Sequence, residues 1–250
     1  MKRIQNRLTS VSVTLPTLLL ALLLIAPVSW AQPVHLFTAT YQARFYGLSG
    51  GKLLFTFRKG DQPNEFVYES RAQPSFLGSF MISSSARESC TMTFDDNDVR
   101  PLKFLSDDGK RGEDNDSNLT YDWVHHRLTG RSERVDFDQA LPKNVQDHLS
   151  IQIAVMQALQ NGSELDEYSL VDSGEIKRYR YTKEGAGSIK YKNQTLDATI
   201  IRSERSDSPG GRITRYWHAP ALHFLPVHAE RSRNGKIDLT LDLMSDEFAE

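Results

Sequence analysis

The sequence holds a single cysteine, Cys90, so no intramolecular disulfide can form and the fold must rest on its core. It lacks an excess of positive charge as well: 30 Lys and Arg stand against 32 Asp and Glu. Without a basic stripe, no nucleic-acid partner is expected. Beyond residue 31 no apolar run approaches the ~20 residues that a membrane-spanning helix needs. There is no G-x-S-x-G nucleophile elbow, no linker, no low-complexity tract and no internal repeat. What remains is an ordinary globular composition whose chemistry is not written in any motif.

The N-terminus is set apart from the rest. Lys2, Arg3 and Arg7 precede the apolar run 15–26, and Ser29-Trp30-Ala31 has the small-residue pattern of a cleavage site. We expect a signal peptide over 1–31, cleaved after Ala31, and one β-rich domain over 32–250. No cysteine lies near that site for lipid attachment; the alternative is an uncleaved anchor. Cys90, among Ser89, Thr91 and Met92, reads as a buried small hydrophobe.

One stretch reads as helix. From Leu141 to Gly162, Val145, Leu149, Ile153, Met156 and Leu159 recur on one face at helical spacing, with Ile151 and Val155 at its edges. Asn144 as N-cap and Asp147 at the third helical position form a capping-box-like start, and Asn161-Gly162 a stop. The spacing predicts a helix over 144–160 with one side to bury, offering on the order of 10 kcal/mol gross.

Everything else alternates with a period of two. Phe37, Ala39, Tyr41, Ala43 and Phe45 alternate with Thr38, Thr40, Gln42 and Arg44; Leu53, Phe55 and Phe57 return across a Ser49-Gly50-Gly51 turn. Further strands are expected over 66–70, 80–89, 90–94, 101–106 and from 121, with a loop over 107–118 and a turn over 127–130. After the helix come 168–171 and 176–181, a turn at Gly185-Ala186-Gly187, then 189–191, 196–200 and 213–219. The closing hairpin joins 227–233 to 237–243 through Asn234-Gly235, a primed-turn signature. About a dozen strands without βαβ rhythm predict a mainly β fold. We expect an antiparallel sheet curled into a barrel, half-barrel or sandwich, with the one helix packed on it.

The alternation also nominates an inner face. Phe37, Tyr41, Phe45, Phe55, Phe57, Phe66, Tyr68, Tyr179, Tyr181 and Trp217 would line it, as a packed core or as the wall of a pocket for a lipid-like molecule. Other constellations fail on spacing. Asp147-His148-x-Ser150 carries three hydrolase residue types on one helix turn, where no nucleophile-base-orienter chain can form. With Trp217 and Val227 inward, His218 and His228 would share the outer face, yet two histidines rarely make a tight metal site. Asp114-x-Asp116-x-Asn118 starts like a calcium loop, but Leu119 stands where the turn glycine belongs. We expect no catalytic residue, no metal ligand and no cofactor.

Taken together, Tyr121-Asp122-Trp123, Leu141-Pro142, Gln146-Asp147-x-Leu149-Ser150, Tyr216-Trp217-x-Ala219-Pro220 and Leu225-Pro226-Val227 before the Asn-Gly hairpin form a pattern. It resembles the bacterial exported proteins grouped as domain-of-unknown-function family 3108 (DUF3108). The resemblance implies a periplasmic β-rich protein of a Gram-negative bacterium and carries no activity or site residues. Three readings follow: a non-enzymatic protein binding a hydrophobic ligand or an envelope component, a module for envelope protein partners, or a hydrolase assembled from distant residues. The first leads.

Overall fold

A computed structural model describes residues 34–80, 82–95, 98–112 and 114–249. The expected signal peptide, its cleavage after Ala31 and the new terminus at Gln32 lie outside the described residues. Residues 31–250 form one compact unit.

The strands follow in chain order as β1 (Phe37–Phe45), β2 (Leu48–Lys59), β3 (Glu65–Pro74), β4 (Arg87–Asp95), β5 (Asp98–Asp107), β6 (Ser117–Asp122), β7 (Arg127–Ser132), β8 (Val135–Ala140) and β9 (Val145–Gln146). After α1 (Ser150–Gln160) come β10 (Glu167–Asp172), β11 (Glu175–Tyr191), β12 (Gln194–Arg205), β13 (Arg212–Ala219), β14 (Leu225–Arg233) and β15 (Lys236–Phe248). All 15 belong to one sheet, which begins at β8, steps back to β1, passes to β15 and steps down to β9. The β1–β15 pair therefore lies at its centre. Every pairing is antiparallel except the short parallel contact of β9 with β10. No ladder joins the outer strands β8 and β9, so the sheet is open. It curls nonetheless: a Cβ on Gly174, in the β10–β11 turn, would lie 2.8 Å from the Val135 side chain on β8.

Alternation explains the strands. On β1, Phe37, Ala39, Tyr41 and Ala43 are buried while Thr38, Thr40, Gln42 and Arg44 are half-buried. Residues facing inward meet α1, which lies in the concave side and buries Ile151, Ile153, Ala154, Val155 and Met156. A helix apolar on most of its circumference belongs inside a fold rather than on its surface. At roughly 1.5–3 kcal/mol per large apolar side chain, its burial outweighs the marginal stability of so short a helix.

The helix begins later than its periodicity predicts. Asn144 adopts φ 52° and caps nothing; Val145 and Gln146 instead pair with Ser169 and Leu170 as β9. Capping falls to Asp147, whose Oδ1 accepts the N–H of Leu149 and of Ser150, both at 2.9 Å. Ser150 Oγ answers by accepting the Asp147 N–H at 2.9 Å. Tertiary pairing of the first residues thus overrides helix propensity.

Three further expectations are corrected. Phe80 and residues 82–86 are not strand: a 3-10 turn at Gly78–Phe80 is held by Ser75 Oγ, which accepts the Gly78 N–H, and by Ser79 Oγ, which donates to the Phe76 carbonyl. Such local bonds compete with a ladder. Residues 127–130 are strand, because Asp122 Oδ1 takes the N–H groups of Val124 and His125 and sets the turn earlier. The glycines at 185 and 187 lie inside β11, paired with Ile200 and Ala198, with a bulge beside Gly185. The expected Asn234-Gly235 turn is present, with φ 49° and 76°.

The reassigned cap has a direct test. Asp147→Ala should cost about 2–3 kcal/mol in urea unfolding, since it removes the cap and leaves buried donors unpaired. Asn144→Gly should stay within about 0.5 kcal/mol, because glycine tolerates positive φ. Equal losses at the two positions would contradict the assignment.

Candidate functional site

Because α1 starts at Ser150 and covers only part of the concave face, the remainder is not filled. There the sheet and the start of the helix enclose a cleft of about 530 Å³. Tyr41, Leu53 and Phe55 come from β1 and β2, Leu239 and Leu241 from β15, and Leu149 and Ile151 from the helix side. Tyr179, Tyr181 and Tyr216 close the wall on β11 and β13. At the opposite end the interior is packed. Phe37, Phe57 and Tyr68 are buried, with Phe57 stacked on Phe66 at 5.6 Å between centroids and Phe66 edge-on to Phe94 at 5.0 Å.

The ten nominated aromatics therefore divide. Tyr41, Phe55, Tyr179 and Tyr181 line the cleft; Phe37, Phe57, Phe66 and Tyr68 belong to the packed cluster. Phe45 is half-buried and lies against Gly50. Trp217 is a correction: it is turned to the other side of the sheet, packed edge-on against His228 at 4.9 Å. Tyr216 and His218 take the inner positions, and a register shift falls between Trp217 and His218. The alternation of β13 is itself regular, and the extra residue at the shift is Val227 on β14.

The cleft carries a polar cluster that sequence reasoning missed. Asp172 Oδ2 accepts from the Tyr179 hydroxyl at 2.8 Å and from Lys177 Nζ at 3.3 Å, and His148 Nε2 lies 3.6 Å from Oδ1. The His148 imidazole foremost, with the Tyr179 hydroxyl and the Lys177 charge, holds the Asp172 carboxyl well below the usual range despite burial. Partial desolvation in the cleft disfavours charge on His148, but the approach of Asp172 and the charges of Glu88 and Asp147 outweigh this and raise its pKa. Arg87, Glu88, Arg212 and Arg231 stand round the same space. Asp172 and Tyr179 meet through the β10–β11 hairpin, a register partly readable in sequence; His148 joins them only through the placement of the helix.

The remaining sequence candidates separate. Asp147 and Ser150 cap the helix while His148 faces the cleft, so the three form no triad. His218 is 2% exposed, against the expectation of an outer position, and its Nδ1 lies 2.7 Å from the Phe224 carbonyl. Burial pushes its pKa down to about 4. His228 instead pairs with Asp242 at 2.8 Å, and His223 stacks on His35. Asp107, Asp108 and Asp116 bring carboxylates within 4.8 Å of one another, with Asp116 accepting the Asp108 N–H. Cys90 is buried, its Sγ 3.0 Å from Asp147 Oδ2, and burial raises the thiol pKa, which disfavours the reactive thiolate.

The geometry defines an open antiparallel β-sheet curled round one helix, with a cleft on its concave side. A family model described as a protein of unknown function, DUF3108, matches residues 39–242, and the chain belongs to that family. No curated protein matches it. Among solved structures, a β-barrel-like protein of the DUF1849 domain from Brucella abortus aligns over 87% of this chain and 99% of its own, with 9% identity and a TM-score of 0.54. A protein from Bacteroides fragilis described as exported, with a YmcC-like fold, aligns over 86% of this chain and 96% of its own, with 9% identity and a TM-score of 0.38. The first shares the fold. Among the described residues no helix is long and apolar enough to cross a membrane.

The two inner histidines respond to pH in opposite senses. His218 is held below its unfolded pKa, about 6.5, so its contribution is present above that value and lost as pH falls towards 4. This amounts to about 3 kcal/mol. His148 is held above its unfolded value, so its contribution is present at acidic pH and lost as pH rises past neutrality. Urea midpoints at pH 7 and pH 4.5 should therefore differ less in His218→Gln than in the parent; an unchanged difference would refute the assignment.

Proposed function

We propose that this is a non-enzymatic binding protein of the bacterial envelope that holds an amphipathic, acyl-chain-like molecule in the cleft between the sheet and the helix. The observation that carries this reading is the cleft of about 530 Å³, open to solvent at one side, with an apolar wall and a polar cluster at its edge. Its size lies within the roughly 300–1,000 Å³ of small-molecule sites. An apolar group that displaces water from the apolar part of the cleft gains the burial of its own surface and of the wall, so a ligand bound there stabilises the fold. An apolar chain would lie against Phe55, Leu53, Leu149 and Ile151. A polar head would meet His148, Asp172 and Tyr179, whose hydrogen-bonding groups are already fixed in place. The envelope setting rests on the signal-peptide pattern of residues 1–31 and on the family resemblance.

Native mass spectrometry of protein purified from the periplasm should show a bound amphiphile, or uptake of a fluorescent fatty acid by delipidated protein. Ala229 is buried on the cleft wall, so Ala229→Trp should lower probe affinity by about tenfold or more by occupying the space. An empty parent protein that takes up no probe, or a variant that binds as the parent does, would overturn the reading.

A further inference from the structure

Among the described residues, six of the ten exposed large apolar side chains lie at one end, the others, such as Val124, being scattered. Phe76, Leu77 and Phe80 project from the β3–β4 connection with 81%, 54% and 77% exposure. Tyr46 in the β1–β2 turn and Leu48 at the start of β2 are 75% and 64% exposed, and Ile237 at the start of β15 is 50% exposed. These segments are neighbours. Ser75 Oγ donates to the Ser49 carbonyl at 2.7 Å, Ser75 N–H to the Gly50 carbonyl at 3.1 Å, and Tyr46 N–H to the Asp238 carbonyl at 3.1 Å. Gly78 is packed so closely that a Cβ would come within 1.8 Å of the Gly50 oxygen. The apolar groups are thus presented on a braced lip.

Two features say what the lip meets. First, neither residues 45–51 nor residues 75–86 contain a charged residue, although a quarter of the chain is charged. Second, the flank made by β1, β2 and the β14–β15 turn is basic. Lys52, Arg233 and Lys236 are exposed there, while the carboxylate of Asp238 is only 4% exposed and neutralised by Arg231 and Arg233. The acidic residues Asp107 and Asp108, at the cleft beyond Ser83, which donates to the Gly109 carbonyl, are paired with Arg87 and Lys110. An uncharged aromatic surface with cations along one side is complementary to the interface of an anionic bilayer, where apolar insertion and attraction to phosphate act together. The lip also borders the cleft: Ile82 and Ala86 of the same connection line it.

We infer that this end of the molecule docks on the surface of an anionic lipid bilayer, inserting Phe76, Leu77, Phe80 and Tyr46 with the Lys52 and Lys236 flank against the head groups. Docking in this pose turns the mouth of the cleft towards the lipid.

The test is flotation of the compact unit 31–250, free of the N-terminal apolar run, with vesicles of phosphatidylethanolamine and phosphatidylglycerol. The parent should float, and Phe76→Ser/Phe80→Ser should partition about tenfold less or weaker, given the apolar area removed. Lys52→Gln/Lys236→Gln should bind these vesicles more weakly and show a shallower salt dependence. Phosphatidylcholine vesicles should bind the parent less. Both serine positions are exposed, so folding should be retained, which unfolding midpoints check. A folded parent that does not float, a double serine variant that floats like the parent, or a lip that pairs only with a second copy in sedimentation would overturn the inference. The cleft reading is tested apart from it: the serine variant should still take up acyl probe in solution, and Ala229→Trp should still float.

Discussion

Asp147 is fully enclosed, and both of its carboxylate oxygens are engaged: Oδ1 by the N–H groups of Leu149 and Ser150, Oδ2 by the Cys90 thiol on β4. A carboxylate in this setting is tolerated only with its lone pairs occupied. Burial raises its pKa even so, against the pull of those donors. Beside it, Gln146 Nε2 donates to the Val99 carbonyl on β5 at 2.8 Å. Together these contacts pin the chain where it crosses from the β8 edge to the β10 edge, and they decide where the helix can begin. Since α1 runs only from Ser150 to Gln160, about 16 Å at 1.5 Å per residue, it roofs one end of the curl and leaves the other as the cleft.

The same crossing accounts for the open sheet. A barrel removes its edges by pairing the first and last strands; here the short link 141–144, exposed or half-buried, leads from β8 to β9 without a ladder between them, and β9 pairs with β10 instead. The exposed edge is managed by charge instead. On β8, Asp136 and Asp138 are exposed and paired with Arg131 and Arg127, which discourages edge-to-edge association. On the other side, β9 covers only Ser169 and Leu170 of β10.

Much of this was legible where side chains obey a local period. The strands β1, β2 and β15, the Asn234-Gly235 hairpin and the existence of one buried helix all follow from alternation, turn chemistry and helical spacing. The failures share a cause, which is that tertiary contacts competed with the local signal. Val145 and Gln146 have helical spacing but gain more as a strand beside β10. The glycines of β11 look like a turn but sit at a bulge. Trp217 and His218 exchange faces because β13 alternates in the opposite phase to the one its apolar residues suggest, with Thr214 and Tyr216 towards the cleft. The cleft itself was beyond reach for a different reason. Filled and unfilled ends use the same residue types, and only the position of α1 separates Tyr41 and Phe55, which line space, from Phe37 and Phe57, which fill it.

The two ends of the curl also differ in what they show to solvent, and the difference is encoded more plainly than the cleft. Residues 80–89 read as strand, and residues 75–86 carry no charge. A strand there would extend β4 by pairing with β3. Instead, serine hydroxyls at 75 and 79 satisfy backbone groups locally, and Phe76 and Phe80 pack on each other at 5.7 Å rather than on the core. Core packing thus leaves the exposure of these rings unexplained, and exposing apolar surface has a cost in water. That the cost falls beside the mouth of the cleft, on a connection anchored to β2 through Gly50 and Gly78, joins the two features. On the proposed binding reading, a cleft with an apolar wall and an apolar rim beside it belong together, because a rim that excludes water would let an acyl chain pass without being solvated.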